Sequence, residues 1–471
     1  MLPTATPEEH GIPSSAVMAF LDAVEERVDA LHSVVVVRHG HTLARGWWAP
    51  YQSDHPHALL SVSKSFTSTA VGLAVEEGLL SVDDLVAPLF PDSVPTRVDD
   101  HLAALRVRHL LTMTAGHAAD TTDIVWADSD DDWARAFLAQ PFVHEPGSTF
   151  VYDTPATYML SAIVQRLTGQ TVVEYLRPRL FEPLGIAEPI WETCPRGVTV
   201  GGWGLRLRTD EVARFGELYL RDGVWQGRQL VPASWVRAAT ASQVPTGALD
   251  DVDWQQGYGY QFWRSRHGYR ADGAFGQFCL VLPEQDAVVA ITSGTPHTPA
   301  VLDLVWKHLL PAMGDGPLSL DDGAVKALTD RLDGLRLPTV SGRAYTPLAA
   351  EVSGRLYHVD GGSGSITLHA EPGGAARLVL KDERSAHDLP IGYGEWRPGK
   401  ATIAAGQTVA VSTSGAWTAD DTYVAQAYAT EMPYRRTLTY TFAGDRLTVE
   451  HRENVSFGPT EHPPVVATWR P

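Results

Sequence analysis

Apolar residues recur at three-and-four spacing through Val17, Phe20, Leu21, Val24, Val28 and Leu31, which predicts a helix after Pro13 with Ser14 as its cap. The β-branched run Ser33 to Val37 reads as a strand, and His39-Gly40 turns it into a second strand near Thr42 to Trp48. A second helix opens at Ser61. Its apolar positions Phe66, Ala70, Leu73, Ala74 and Val75 form a broad face ended by Gly78, as in a helix covered on most sides. Arg108 to Thr114 predicts a short helix stopping at Gly116. Thr154 reads as the cap of another, with Pro155 at the first helical position and Met159, Leu160, Ile163, Val164 and Leu167 leading to Gly169. Further helices fit Asp210 to Arg221, Ala233 to Ala239 and Pro299 to Leu310, and strands fit Gly257 to Trp263, Gln277 to Leu282 and Ala287 to Thr292.

Strands at both ends with helices between them predict one mixed α/β unit whose sheet joins the start of the region to its finish, residues 1–315. The pattern then changes. Asp315-Gly316-Pro317 opens a linker, 316–338, in which Asp321 to Leu335 reads as one amphipathic helix. After Pro338 come short strands: Glu351 to Tyr357, Ser365 to His369, Ala376 to Leu380, Val409 to Ser412, Tyr423 to Ala429, Arg436 to Phe442 and Arg446 to His451. Ala443-Gly444-Asp445 supplies a hairpin turn between the last two. Residues 339–471 therefore read as an antiparallel barrel or sandwich.

At 471 residues the chain is long enough for two domains, and 44% hydrophobic against 20% charged residues is an ordinary globular mixture. The formal charge of −19 opposes phosphate backbones and anionic membranes, so nucleic acid and membrane are not expected partners. Cys194 and Cys279 are too few for a disulfide framework or a thiolate metal cluster. With no basic-then-apolar leader and no bilayer-length apolar run, a soluble cytoplasmic protein is expected. The acidic run Asp128 to Asp132 lacks the spacing of a calcium loop and reads as a solvated loop. His39/His41 and His55/His57 lack carboxylates at ligand spacing, so neither a metal nor any other cofactor is called for. Trp47 and Trp48 read as strand packing.

The stretch Ser61-Val62-Ser63-Lys64 carries the chemistry. It is the only Ser-x-x-Lys in a chain with five lysines. One helical turn apart, the two side chains share a face. A lysine kept neutral by burial can take the serine proton, and a helix start offers a backbone N–H to an oxyanion. Ser63 and Ser65 have no lysine three residues on and read as packing or turn-bonding hydroxyls. A third group must carry the proton to the leaving atom. Tyr152 is the candidate, as a phenol whose pKa a nearby lysine cation would lower.

These residues sit among several stretches that occur in a known order. Leu59 to Ala74 resembles the nucleophile helix of the serine β-lactamase and penicillin-binding-protein superfamily, nearest to class C β-lactamases, esterases of that fold and 6-aminohexanoate-dimer hydrolases. Leu79 to Asp84, Val107 to Gly116, Pro146 to Tyr152 and Leu180 to Gly185 resemble further family stretches, and Ala271-Asp272-Gly273 falls at the third motif. The resemblance spans roughly residues 5 to 310. It implies an α+β domain with a central antiparallel sheet flanked by helices. It also implies Ser61 as nucleophile, Lys64 as general base, Tyr152 as proton carrier, and the N–H groups of Ser61 and Ala274 as the oxyanion hole. The C-terminal strands resemble the lipocalin-like barrels appended to some members.

Two departures bear on substrate. Ala271 and Asp272 stand where lactamases have Lys-Thr and many esterases His-x, which removes a cation for a substrate carboxylate; Arg270 is a neighbouring substitute. Asp153 and Thr154 replace the usual residues after Tyr152, Thr154 as a helix cap and Asp153 as a charge favouring neutral or cationic substrates. Asp153, Thr154, Ala271, Asp272 and Gly273 are thus candidates for lining the substrate. The expected activity is hydrolysis of small esters or amides through an acyl-enzyme. The runner-up is a β-lactamase or D-alanyl-D-alanine carboxypeptidase. A non-catalytic binding protein is the reading from another class, opposed by the intact Ser61, Lys64 and Tyr152. A small-molecule ester or amide is the partner expected, with self-association left open.

Overall fold

The computed structural model describes residues 2–381, 386–402 and 408–470. Its central sheet has six antiparallel strands: β1 (Leu31–Arg38), β2 (His41–Trp47), β3 (Trp263–Arg264), β4 (Tyr269–Gly273), β5 (Gln277–Leu282) and β6 (Ala287–Ser293), in the order β2-β1-β6-β5-β4-β3. The start of the region does join its finish, with Val34 opposite Ile291. β1 is apolar throughout because both of its faces are covered. Val35 and Val37 enter one core while Val34 and Val36 enter the other.

Helices α1 (Ser14–Arg27), α5 (Thr298–Leu304) and α6 (Asp322–Asp333) cover one face of the sheet, and α2 (Ser63–Glu76), α3 (Thr154–Thr168) and α4 (Thr209–Leu220) lie on the other. Ser14 does not cap α1 with its own side chain. Its N–H and hydroxyl both donate to the Glu8 carboxylate, which closes the helix start. The linker helix α6 docks on the sheet rather than standing free. Leu328 and Leu335 are buried in the α1 core, Arg331 pairs with Glu25 at 2.6 Å, and a Cβ at Gly46 would sit 2.5 Å from Leu335.

Two predicted strands join a strand only at their last residues, Trp263 and Tyr357. Around Gly257 to Trp263 the chain turns sharply: a Cβ at Gly259 would lie 2.0 Å from the Ala239 carbonyl, and Gln261 has φ +64°. Over Glu351 to Tyr357, Thr346 and Pro347 instead start a helix, Pro347–Val352, with the Thr346 side chain accepting from Ala349 N–H. The acidic run is not wholly solvated either. Asp132 is buried, caps the helix Trp133–Leu138 and bonds Arg196 at 3.0 Å.

The C-terminal strands form a nearly closed barrel of ten: β7 (Tyr357–Val359), β8 (Ser365–Ala370), β9 (Ala376–Lys381), β10 (Ala386–Ile391), β11 (Arg397–Thr402), β12 (Thr408–Trp417), β13 (Thr422–Ala429), β14 (Arg435–Ala443), β15 (Arg446–Glu453) and β16 (Glu461–Trp469). They run β10-β9-β8-β7-β16-β15-β14-β13-β12-β11, and Trp417, Tyr423 and Tyr440 form one interior row across β12, β13 and β14. β10, β11 and β16 escape the hydrophobic pattern because exposed, polar and proline residues dominate them.

The barrel is bonded to the first unit. Tyr51 donates to Met432 O at 2.9 Å, Ala58 N–H to Glu431 O at 2.8 Å, and Asn454 Nδ2 to Gly294 O at 2.6 Å. Among the described residues no helix is long and apolar enough to cross a membrane.

Candidate active site

Ser61 lies in a tight 3₁₀ turn, Leu60–Val62, and α2 proper begins two residues later than the sequence pattern predicts. Leu60 holds φ +48°, a conformation that side chains other than glycine resist. Ser63 stabilises the turn, donating to Leu60 O at 2.6 Å and accepting from Leu205 N–H at 3.2 Å. Ser65 donates to Gln261 O, so both neighbouring hydroxyls are structural. The three-residue spacing still brings Ser61 and Lys64 to one face, with Ser61 partly exposed and Lys64 buried.

Lys64 Nζ stands 3.1 Å from Ser61 Oγ, 2.8 Å from Gly202 O and 3.3 Å from Thr154 Oγ1. Burial lowers its pKa to about 7, against which the Asp120 and Asp153 carboxylates act. Gly202 was not foreseen from the sequence. Its role needs a backbone carbonyl close to an amine, and a Cβ there would lie 2.8 Å from Thr154 and 3.5 Å from Nζ. The cluster Gly201-Gly202-Trp203-Gly204 is the only sequence signal for it.

The Lys64 ammonium lies 5.0 Å from the Tyr152 ring centroid. The ring stacks on Trp263 at 5.6 Å and meets Tyr258 edge-on. Burial holds the phenol well above its ordinary pKa, and a hydrogen bond with Ser61 only partly opposes this. The expectation that lysine would lower the Tyr152 pKa is therefore corrected: desolvation is the dominant influence, and the group is a protonated phenol.

Helix α3 begins at Thr154, one residue before the expected start, and Thr154 is more than a cap because its hydroxyl links Lys64 to Asp120 Oδ2 at 3.2 Å. Asp153 does not line the substrate space. Its carboxylate is buried, accepting from His117 Nδ1 at 2.7 Å and from Thr121 N–H and Oγ1 at 2.9 Å each. The exposed carboxylate near the amine belongs to Asp120, which sequence reading missed because no motif surrounds it.

β4 ends beside the nucleophile turn: a Cβ at Gly273 would fall 2.4 Å from Leu59 O, so this position closes on Ser61 without a side chain. Ala271 is buried inside β4 opposite Cys279 and does not line the site. Asp272 is mostly covered; burial raises its pKa while Arg270 pulls it down. Arg270 does not substitute for the missing cation. It is 0% exposed, donating to Asp272, to the Asp253 and Arg264 carbonyls and to Ser265 Oγ. The turn after β4 is tied down by Ser293 Oγ, which donates to Phe275 O at 2.6 Å, and by Gln277 Nε2, which donates to Ala274 O. His39 and His41 gather around His10, and His57 bonds His32 at 3.0 Å.

The arrangement joins a hydroxyl to a poised amine, with a protonated phenol alongside. It offers acyl transfer chemistry without a free cation at the third motif. A family model described as Beta-lactamase matches residues 20–312. Penicillin-binding protein 4 of Amycolatopsis lactamdurans is 29% identical over 345 residues, covering 64% of this chain and 86% of the relative. The 6-aminohexanoate-dimer hydrolase of Paenarthrobacter ureafaciens is 25% identical over 314 residues, covering 62% and 80%. The octameric penicillin-binding protein homologue from Pyrococcus abyssi shares the fold across both parts, with TM-score 0.50, 16% sequence identity, and coverage of 96% of this chain and 99% of that one. With the family model matching more than half of its length, the chain belongs to the Beta-lactamase family.

Proposed function

We propose that the protein is a serine hydrolase acting on small esters or amides through an acyl-enzyme on Ser61. The observation that carries this is Lys64: buried, 3.1 Å from Ser61 Oγ, with a pKa of about 7. At neutral pH much of it is the free amine. Ser61 Oγ attacks the substrate carbonyl as Lys64 takes its proton, and the N–H groups of Ser61 and Ala274 receive the oxyanion. The Tyr152 phenol protonates the departing oxygen or nitrogen and is reprotonated from the lysine ammonium. Water then attacks the ester on Ser61, releasing the acid and restoring the serine. The relatives named as hydrolases support hydrolysis as the outcome.

Esters and amides are favoured over β-lactams because the carboxylate-binding cation is absent from Ala271-Asp272 and Arg270 is consumed inside the fold. The test is turnover of p-nitrophenyl acetate, p-nitrophenyl butyrate and nitrocefin, with fluorophosphonate labelling of wild type and Ser61→Ala. Faster ester turnover and labelling confined to wild type are expected. Faster nitrocefin turnover, or a penicilloyl adduct as the dominant product, would establish the lactamase or carboxypeptidase reading instead. Equal labelling of both proteins would remove the catalytic reading.

A further inference from the structure

The barrel places an aromatic side chain beside the turn that carries Ala274. Phe457, in the loop between β15 and β16, is 77% exposed, yet its ring lies 4.8 Å from that of Phe275, the residue after Ala274. Tyr434, from the loop between β13 and β14, approaches the same ring at 6.2 Å.

Phe457 does not belong to a loose tail. Val455 is buried, and Asn454 anchors the base of the loop. Its Nδ2 donates to Gly294 O at 2.6 Å and to Pro433 O at 2.9 Å, and its Oδ1 accepts from Arg435 N–H at 2.7 Å. Gly294 follows Ser293, whose hydroxyl holds the Phe275 carbonyl. One short stretch of chain thus fixes both aromatic residues. Phe275 itself holds φ +63°. Such a conformation persists only where its surroundings enforce it.

We infer that Phe457 and Phe275 form an apolar wall for the acyl chain of the substrate, so that the barrel completes the acyl pocket and selects medium-length or aromatic acyl groups. This rests on Ser61 being the acylated nucleophile. Around the tetrahedral carbon, the oxyanion points to the Ser61 and Ala274 N–H groups. The leaving group must face the proton donors Tyr152 and Lys64. Phe275 directly follows Ala274 in the chain, and we assign the remaining substituent, the acyl chain, to its side. β4 offers no free cation to an anionic acyl group, because its one cation, Arg270, is buried and paired with Asp272.

The experiment compares kcat/KM for p-nitrophenyl octanoate and acetate in wild type, Phe457→Ala and Phe457→Leu, with fluorophosphonate labelling and size-exclusion chromatography of each. Losing contact with two methylene groups, each worth about fourfold, predicts a fall of about fifteenfold in the octanoate-to-acetate ratio for Phe457→Ala, with substantial recovery in Phe457→Leu. An unchanged ratio in labelled, active variants overturns the acyl wall and leaves the hydrolase reading intact. A changed oligomeric state with an unchanged ratio assigns the aromatic pair to self-association and also overturns it. Failure of wild type to label or to turn over either ester removes the hydrolase reading first.

Discussion

His117 Nδ1 stands 2.7 Å from Asp153 Oδ2, and each side chain is 2% exposed. Through Thr121 the same carboxylate holds the segment bearing Asp120, which in turn bonds Thr154 beside Lys64. Asp153 therefore shapes the site from inside the fold. Asp153→Ala should cost about 3 kcal/mol of stability, because His117 and two Thr121 donors lose their acceptor. Urea unfolding measures this. Activity per folded molecule should also fall, since Thr154 and Tyr152 flank the lost anchor.

Lys64 is built for reaction at the expense of stability. Its folded pKa of about 7 lies below the ordinary 10.5, so between these values the unfolded chain binds a proton that the folded chain has released. Wild-type stability should rise with pH across that window and level off above it. Lys64→Met removes the penalty. It should be inactive yet more stable, by up to about 4 kcal/mol near pH 7 and with little gain near pH 10.5. Denaturation of both proteins at several pH values checks the difference in slope.

The same group sets the pH profile of turnover. Only the neutral amine accepts the serine proton, so kcat/KM should rise with an inflection near pH 7. Asp120 is the foremost group holding that pKa up, and Asp120→Asn should move the inflection to lower pH, while Asp120→Glu moves it less. A lower maximal rate with no movement would mean that Asp120 acts only by holding Thr154.

Acid should weaken the seam between the two parts. His57 Nδ1 lies 2.9 Å from Ala58 O and must donate to it, so His57 Nε2 accepts from His32 Nδ1 at 3.0 Å. Both rings are buried neutral, with burial pushing His57 to about 4 and His32 down as well. Their folded values lie below the unfolded 6.5. The stability they permit is present above pH 6.5 and is lost as pH falls toward 4, by up to about 3 kcal/mol for His57 alone. His57→Gln should flatten that acid limb in a stability–pH series.

Much of the site was legible in local chemistry. The Ser61–Lys64 spacing, the apolar face of α2 and the strands β5 and β6 depend on neighbours in sequence, and periodicity reports them directly. The ordered family stretches likewise carry the superfamily, which the family model now shows over residues 20–312. Local pattern also fixes one end of several barrel strands, among them β8 and β13. It could not supply β4, whose Arg270 and Asp272 look like solvated charges until the fold buries them against each other.

What the tertiary structure alone decided is where charge and polarity end up. Asp153 looked like a substrate-facing charge and is a buried anchor; Asp120 lay in an unremarked loop and is the exposed carboxylate near the amine. Tyr152 looked acidified by lysine and is held protonated by burial. The contact of Phe457 with Phe275 links positions 182 residues apart (457 − 275) and has no signature in either neighbourhood. The reason is physical. Hydrophobic period depends on the geometry of one element, whereas desolvation and pairing depend on what other elements bring within a few ångströms.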